Sequence, residues 1–162
     1  IGRKRLSEMV GIGEGSMRRI IDALRDMELI SIKQTGVAIT EKGIDFLEDI
    51  PIRVIDLDAG DSVAGEETQG LLVLGVSDKV HNGMQQRDAG IKVGATSCTT
   101  FVIRNSVLMV PPDWNVDQEK PELAEKIRNE FGMSERDAII IGGASTKSLA
   151  IEASVAAALE II

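Results

Sequence analysis

Near the C-terminus, Ile141-Gly142-Gly143-Ala144-Ser145-Thr146-Lys147 carries an apolar run through two glycines into hydroxyls and a lysine. A strand that enters a helix through such a turn offers free backbone N–H groups, and with the hydroxyls and Lys147 it has the chemistry to hold an anion. Its spacing is neither that of a P-loop nor that of a dinucleotide fingerprint. The plainer reading, a tight connection that merely needs small residues, is preferred. Arg87 and Asp88 lie on the edges of the apolar face that Val80, Met84 and Ile91 define on a helix expected after Asp78. Polar residues there need partners, either in an internal ion pair or, for Arg87, in an acidic ligand beside Thr99 or Thr100. Arg87, Asp88, Thr99, Thr100, Gly142, Gly143 and Ser145 are therefore the candidate ligand-binding residues.

Cys98 and His81 are each the only residue of their type in the chain. One cysteine forms no internal disulfide, and one cysteine with one histidine does not build a zinc site. Nothing in the sequence brings the two together as a catalytic pair, and no metal or cofactor is expected. An enzyme using the glycine turn with Arg87 and Asp88 is the rival reading.

Charge narrows the partners. The net charge of −8 opposes a chain-wide nucleic-acid surface, because phosphate binding rests on Lys and Arg. Residues 1–50, however, hold eight Lys/Arg against nine Asp/Glu, whereas residues 51–162 hold ten against seventeen. A polyanion should meet the N-terminal third. No run reaches the roughly 18 to 20 apolar residues of a membrane span, and no signal-peptide pattern is visible, so an intracellular protein without membrane contact is expected.

The elements that must position these groups follow from periodicity. Leu6, Met9 and Val10 recur at helical spacing and end in a glycine-rich turn. From about Ser16 to Met27, Met17, Ile20, Ile21 and Leu24 share one face, while Gly15, Arg18, Arg19, Asp22 and Asp26 share the other. Leu29–Ile32 and Gly36–Ile39 read as a hairpin, and Thr40 caps a helix that Pro51 stops. Helix, glycine turn, helix, hairpin and helix in this order resemble the winged helix-turn-helix of prokaryotic regulators over residues 1–50. In that family a further helix precedes, so a first helix is expected ahead of Ile1. The resemblance implies that the second helix enters the major groove of double-stranded DNA, with Ser16, Arg18 and Arg19 at bases and phosphates, Arg3, Lys4 and Arg5 on the preceding helix, and Lys33 at the wing. The bland alternative is a solvated face with Arg18 and Arg19 paired to Asp22 and Asp26. Winged helices also serve as protein-binding modules.

Residues 51–69 read as an acidic, glycine-rich linker that opens on a possible strand at Ile52–Leu57. Beyond it come a strand at 71–76, a helix from Asp78 to before Gly94, strands at 99–103 and 107–110, a helix at 121–131, a strand at 138–141 and a helix from Thr146 to the end. The order βαββαβα predicts an α+β domain over residues 70–162, a two-layer sandwich of ferredoxin-like or related kind with helices on one face of a mainly antiparallel sheet. The last helix is apolar all round, so the face turned away from the sheet is expected to meet another subunit or the winged helix. The whole chain resembles an uncharacterised archaeal family that joins a winged helix to an α+β domain. A DNA-binding regulator follows as the expectation, a homodimer whose second domain senses a small anionic effector.

Overall fold

The computed structural model describes residues 1–162, which divide into two compact units, Ile1–Ile50 and Pro51–Ile162. No helix is long and apolar enough to cross a membrane.

In the first unit, α1 (Arg3–Val10) ends at Gly11, whose φ of 73° lets its N–H return to the Ser7 carbonyl. After a short turn α2 (Glu14–Asp26) buries Met17 and Ile21. Ile20, expected on the same buried face, is 45% exposed. The hairpin of β1 (Ile30–Lys33) and β2 (Gly36–Ile39) pairs Lys33 with Gly36 across a two-residue turn. Thr40 then caps α3 (Glu41–Asp49), accepting from the Gly43 N–H at 3.0 Å. Gly43 is required by packing, since a Cβ there would stand 2.1 Å from the Leu29 carbonyl oxygen.

The second unit is one antiparallel sheet of six strands: β3 (Ile52–Ile55), β4 (Glu67–Val73), β8 (Ala138–Ala144), β5 (Ser97–Arg104), β6 (Val107–Val110) and β7 (Trp114–Asn115), in that spatial order. Its helices are α4 (Met84–Lys92), α5 (Val116–Glu119), α6 (Pro121–Phe131) and α7 (Lys147–Leu159). The α+β class and the order βαββαβα hold, the strand read at Ile52–Leu57 is β3, and β7 and α5 are added.

Three expectations are corrected. Residues 51–69 are not a linker: Ile52–Ile55 pairs with β4 as an edge strand, and β4 itself begins at Glu67. The sheet is not covered on one face only. Phe101, Ile139 and Ile141 pack with Leu123, Ala124 and Ile127 of α6, while Cys98, Val102 and Ile140 pack with Ala157 and Ala158 of α7. Every residue of β8 is buried, which a strand between two helical layers requires. The third correction concerns the helix expected from Asp78. Only a single 3-10 turn forms there, and α4 starts at Met84 after Gly83, whose φ is 74°. Its buried residues are Gln86, Ala89 and Gly90, whereas Met84 and Ile91 are 51% and 45% exposed. The reason is close approach: a Cβ on Gly90 would stand 2.6 Å from the Cys98 Cβ and 3.6 Å from that of Ala153 on α7. Only small residues let α4 settle between β5 and α7.

Candidate nucleic-acid interface and ligand cavity

Helix α2 presents its N-terminus without a side-chain cap, because the N-cap position is Gly13. The first-turn N–H groups therefore stay available to an outside acceptor, as does the partial positive charge of the helix end. The start of α1 lies beside it. Gly2, Arg3, Lys4, Glu14, Gly15 and Arg18 line one groove of about 590 Å³, in which three cations face a single carboxylate.

Ion pairing sorts the cations of this unit. Arg25 takes both acids of its helix face, at 3.2 Å from Asp22 and 3.0 Å from Asp26, and Lys42 takes Glu28 at 2.9 Å. The Lys42 interaction holds the Glu28 carboxyl below the ordinary range. No carboxylate lies within pairing distance of Arg3, Lys4, Arg5, Arg18, Arg19 or Lys33, and all six are exposed. The pairing of Arg18 and Arg19 with Asp22 and Asp26, the bland alternative, does not occur. Ser16 is exposed on the same turn. Sequence reasoning missed the role of Arg25, whose spacing to Asp22 is the i,i+3 of a helical ion pair.

In the second unit the predicted ligand residues separate. Gly142 and Gly143 are packed shut: a Cβ on Gly142 would lie 2.5 Å from the Ala150 carbonyl oxygen of α7, and one on Gly143 would lie 2.0 Å from that of Ala64. Ser145 is exposed beyond them, and Lys147 donates to the Thr68 carbonyl at 2.6 Å. The turn is a close connection filled by the protein's own backbone, and it lies outside the cavity that Arg87 lines. Arg87, Thr99 and Thr100 do share one, of about 250 Å³, with Cys98, Met84 and Pro111 also in its wall. Asp88 stays outside, 3.4 Å from Arg87 in an exposed ion pair. Burial pushes the Cys98 thiol up to about 12, which keeps it protonated at neutral pH. Sequence reasoning also missed Gln86, which is 1% exposed.

The comparisons with known proteins divide the chain in the same way. Residues 1–53 match the family described as "CggR N-terminal DNA binding domain", and residues 63–161 match "Domain of unknown function (DUF4443)". The winged-helix reading of the N-terminal unit is thereby shown. Among solved structures, hypothetical protein PH0730 from Pyrococcus horikoshii OT3 is similar over 99% of this chain and 84% of its own, at 23% identity and a TM-score of 0.74. At that identity the likeness shows the fold. No curated protein matches the sequence.

Proposed function

The chain belongs to the family described as "Domain of unknown function (DUF4443)", which takes in residues 63–161, and with a winged helix of a DNA-binding family ahead of that domain we propose that it is a transcriptional regulator of double-stranded DNA. The observation that carries this reading is the sorting of charge in the first unit. Its internal ion pairs consume Arg25 and Lys42, and the six cations left unpaired are those that the winged-helix resemblance assigns to DNA. A near-neutral domain can bind a polyanion where cations locally outnumber carboxylates, as Arg3, Lys4 and Arg18 do beside Glu14. Arg18, Arg19 and Ser16 then meet the major groove, Arg3, Lys4 and Arg5 meet phosphates, and Lys33 meets flanking backbone.

In this proposal the second unit dimerises the chain and senses a small anionic effector inside the cytoplasm. Support for dimerisation comes from α7, whose Ile151, Val155 and Leu159 repeat every four residues and are 44%, 37% and 65% exposed. Two copies would set their recognition helices about 34 Å apart, in successive major-groove turns.

A protein-binding adaptor is the second reading. It is favoured by exposed apolar side chains of the first unit, with Met9 at 68%, Leu47 at 55% and Phe46 at 45%. Fluorescence anisotropy of a labelled duplex, titrated with the full chain across a salt series, separates the two. A regulator shows binding that weakens steeply with salt, in proportion to the phosphates neutralised. Absence of duplex binding at low salt refutes the proposal in favour of the adaptor.

A further inference from the structure

Strand β5 is paired unequally. Strand β8 follows it from Ser97 to Val102, but β6 joins it only from Val102 to Arg104. After Val110 the chain enters Pro111-Pro112, and a proline has no N–H to donate to a ladder. The first residues of β5 are thus left with an open side, and the cavity of about 250 Å³ lies against it.

The polar groups at this notch include unpaired donors. Helix α4 begins here, where a Cβ on Gly83 would stand 4.0 Å from the Thr100 Cβ. In its first turn the Met84 N–H is met by Asn82 Oδ1 at 3.0 Å, and the Arg87 N–H by the Gly83 carbonyl at 3.0 Å. The N–H groups of Gln85 and Gln86 between them have no such acceptor. Thr100, in the cavity wall, is 3% exposed and its hydroxyl has no hydrogen-bond partner. The Gln86 side-chain nitrogen, on the same helical turn but outside the cavity wall, is also without one. Buried polar groups are hydrogen-bonded in the great majority of proteins, so the orphan hydroxyl of Thr100 in the cavity wall points to a missing acceptor.

We propose that this notch binds a small monocarboxylic acid. Its carboxylate accepts from the Thr100 hydroxyl, the first turn of α4 and the Arg87 guanidinium, which needs only rotation about its exposed stem to reach the mouth. Its carbon skeleton lies along Met84, Val110, Pro111 and Pro112. Charge decides for a monoanion over phosphate, because Arg87 is the only cation in the wall and Asp88 stands 3.4 Å from it. Size excludes a large ligand, since the volume lies at the lower limit of small-molecule pockets. As the effector of the regulator this ligand rests on the reading given above; as a bound molecule it does not.

The test is isothermal titration and thermal shift of the full chain with butyrate and with pyruvate, and with inorganic phosphate for comparison. At least one carboxylate should bind saturably and raise the melting temperature, since it binds only the folded state. Thr100→Val keeps the side-chain shape and removes the orphan hydroxyl, so it should leave the melting temperature unchanged or higher while weakening binding about tenfold or more. Arg87→Gln should weaken binding by a similar factor. No titration by either carboxylate, equal binding by Thr100→Val, or binding of phosphate alone overturns the proposal. Repeating the duplex-binding assay with saturating carboxylate isolates the sensor role. Thr100-dependent carboxylate binding with unchanged DNA affinity upholds the site and refutes sensing.

Discussion

The Gly75 N–H donates to Asp137 Oδ1 at 3.0 Å, tying the turn that leaves β4 to the turn that enters β8. The other carboxylate oxygen of Asp137 accepts from the Ser134 N–H at 2.9 Å and from the Ser134 hydroxyl at 2.7 Å. Beside it, Ser77 donates its N–H to the Arg136 carbonyl and its hydroxyl to the Glu135 carbonyl, at 3.0 and 2.6 Å. These hydrogen bonds fix one end of the neighbouring strands β4 and β8, on which α7 packs.

A pH dependence follows from that carboxylate. Burial pulls the Asp137 carboxyl upward, but the donors from Ser134 and Gly75 outweigh it and hold the group below its ordinary 3.8. A carboxyl lowered by folding contributes stability that is complete above the unfolded value and is lost as pH falls through the folded one. Melting temperature should therefore drop as pH is lowered from about 4 towards 2, and Asp137→Asn should flatten this slope. At neutral pH the same variant should lose about 1–3 kcal/mol, because an amide nitrogen confronts one of the donors. A slope identical in both proteins places the acid sensitivity elsewhere, with Asp117 the next group to examine, since its hydrogen bond to Arg128 also lowers it.

Arg18→Ala with Arg19→Ala should weaken duplex binding by about 1–3 kcal/mol for each arginine that reads a base, and it should reduce the steepness of the salt dependence. Arg25→Ala is the informative companion. It leaves Asp22 and Asp26 unneutralised on the same helix, so it should also weaken binding although Arg25 itself does not touch DNA in this proposal. If only the Arg25 variant had an effect, the assignment of Arg18 and Arg19 to the groove would be wrong.

The order of elements was legible because each kept its own period and its own stop signal, from Thr40 before α3 to the glycine after Phe131. The covering of both sheet faces was legible too, and was misread. Ile139-Ile140-Ile141 is continuous rather than alternating, as suits a strand buried on both sides. The orientation of α4 was hidden for a different reason. Counting large apolar residues puts Met84 and Ile91 inside, whereas close packing against Cys98 and Ala153 demands glycine and alanine there, and it carries Gln86 in with them. Strand β3 was legible as the strand read at Ile52–Leu57, but the acidic, glycine-rich residues after it hid that the stretch belongs to the second unit. Among candidate site residues, Arg87, Thr99 and Thr100 were read together from one helix edge and one strand. Gly142 and Gly143 were ambiguous, since glycine serves an anion and a crowded backbone equally well.

Gly15 offers a test in which stability and binding move in opposite directions. A Cβ there would meet nothing within 4 Å, so the protein's own packing does not require glycine at this first-turn position. Gly15→Ala should raise stability by up to about 1 kcal/mol through helix propensity. It should also weaken duplex binding, because the methyl group projects into the groove shared with Arg3, Lys4 and Arg18. A more stable protein with undiminished DNA affinity would remove this end of α2 from the interface.

Assembly can be tested on α7 with two substitutions that differ only in direction. Ala157 is fully buried and packs with Val102 and Ile140 of the sheet, whereas Leu159 is 65% exposed at the end of the stripe with Ile151 and Val155. A glutamate at Ala157 would bring an unpaired charge into the core, and the expected outcome is loss of folded protein. A glutamate at Leu159 meets solvent in a single copy, so the fold and its melting temperature should survive, apart from any contribution of the dimer itself. If the stripe joins two copies, Leu159→Glu should convert a dimer into a folded monomer, because the charge would be buried without a partner at an isologous interface. Sedimentation of both proteins over a concentration series reads this directly. A wild-type chain that stays monomeric at the highest concentration, or a Leu159→Glu protein that stays dimeric, removes α7 as the dimer interface; in the first case two recognition helices on one operator would need another source of pairing.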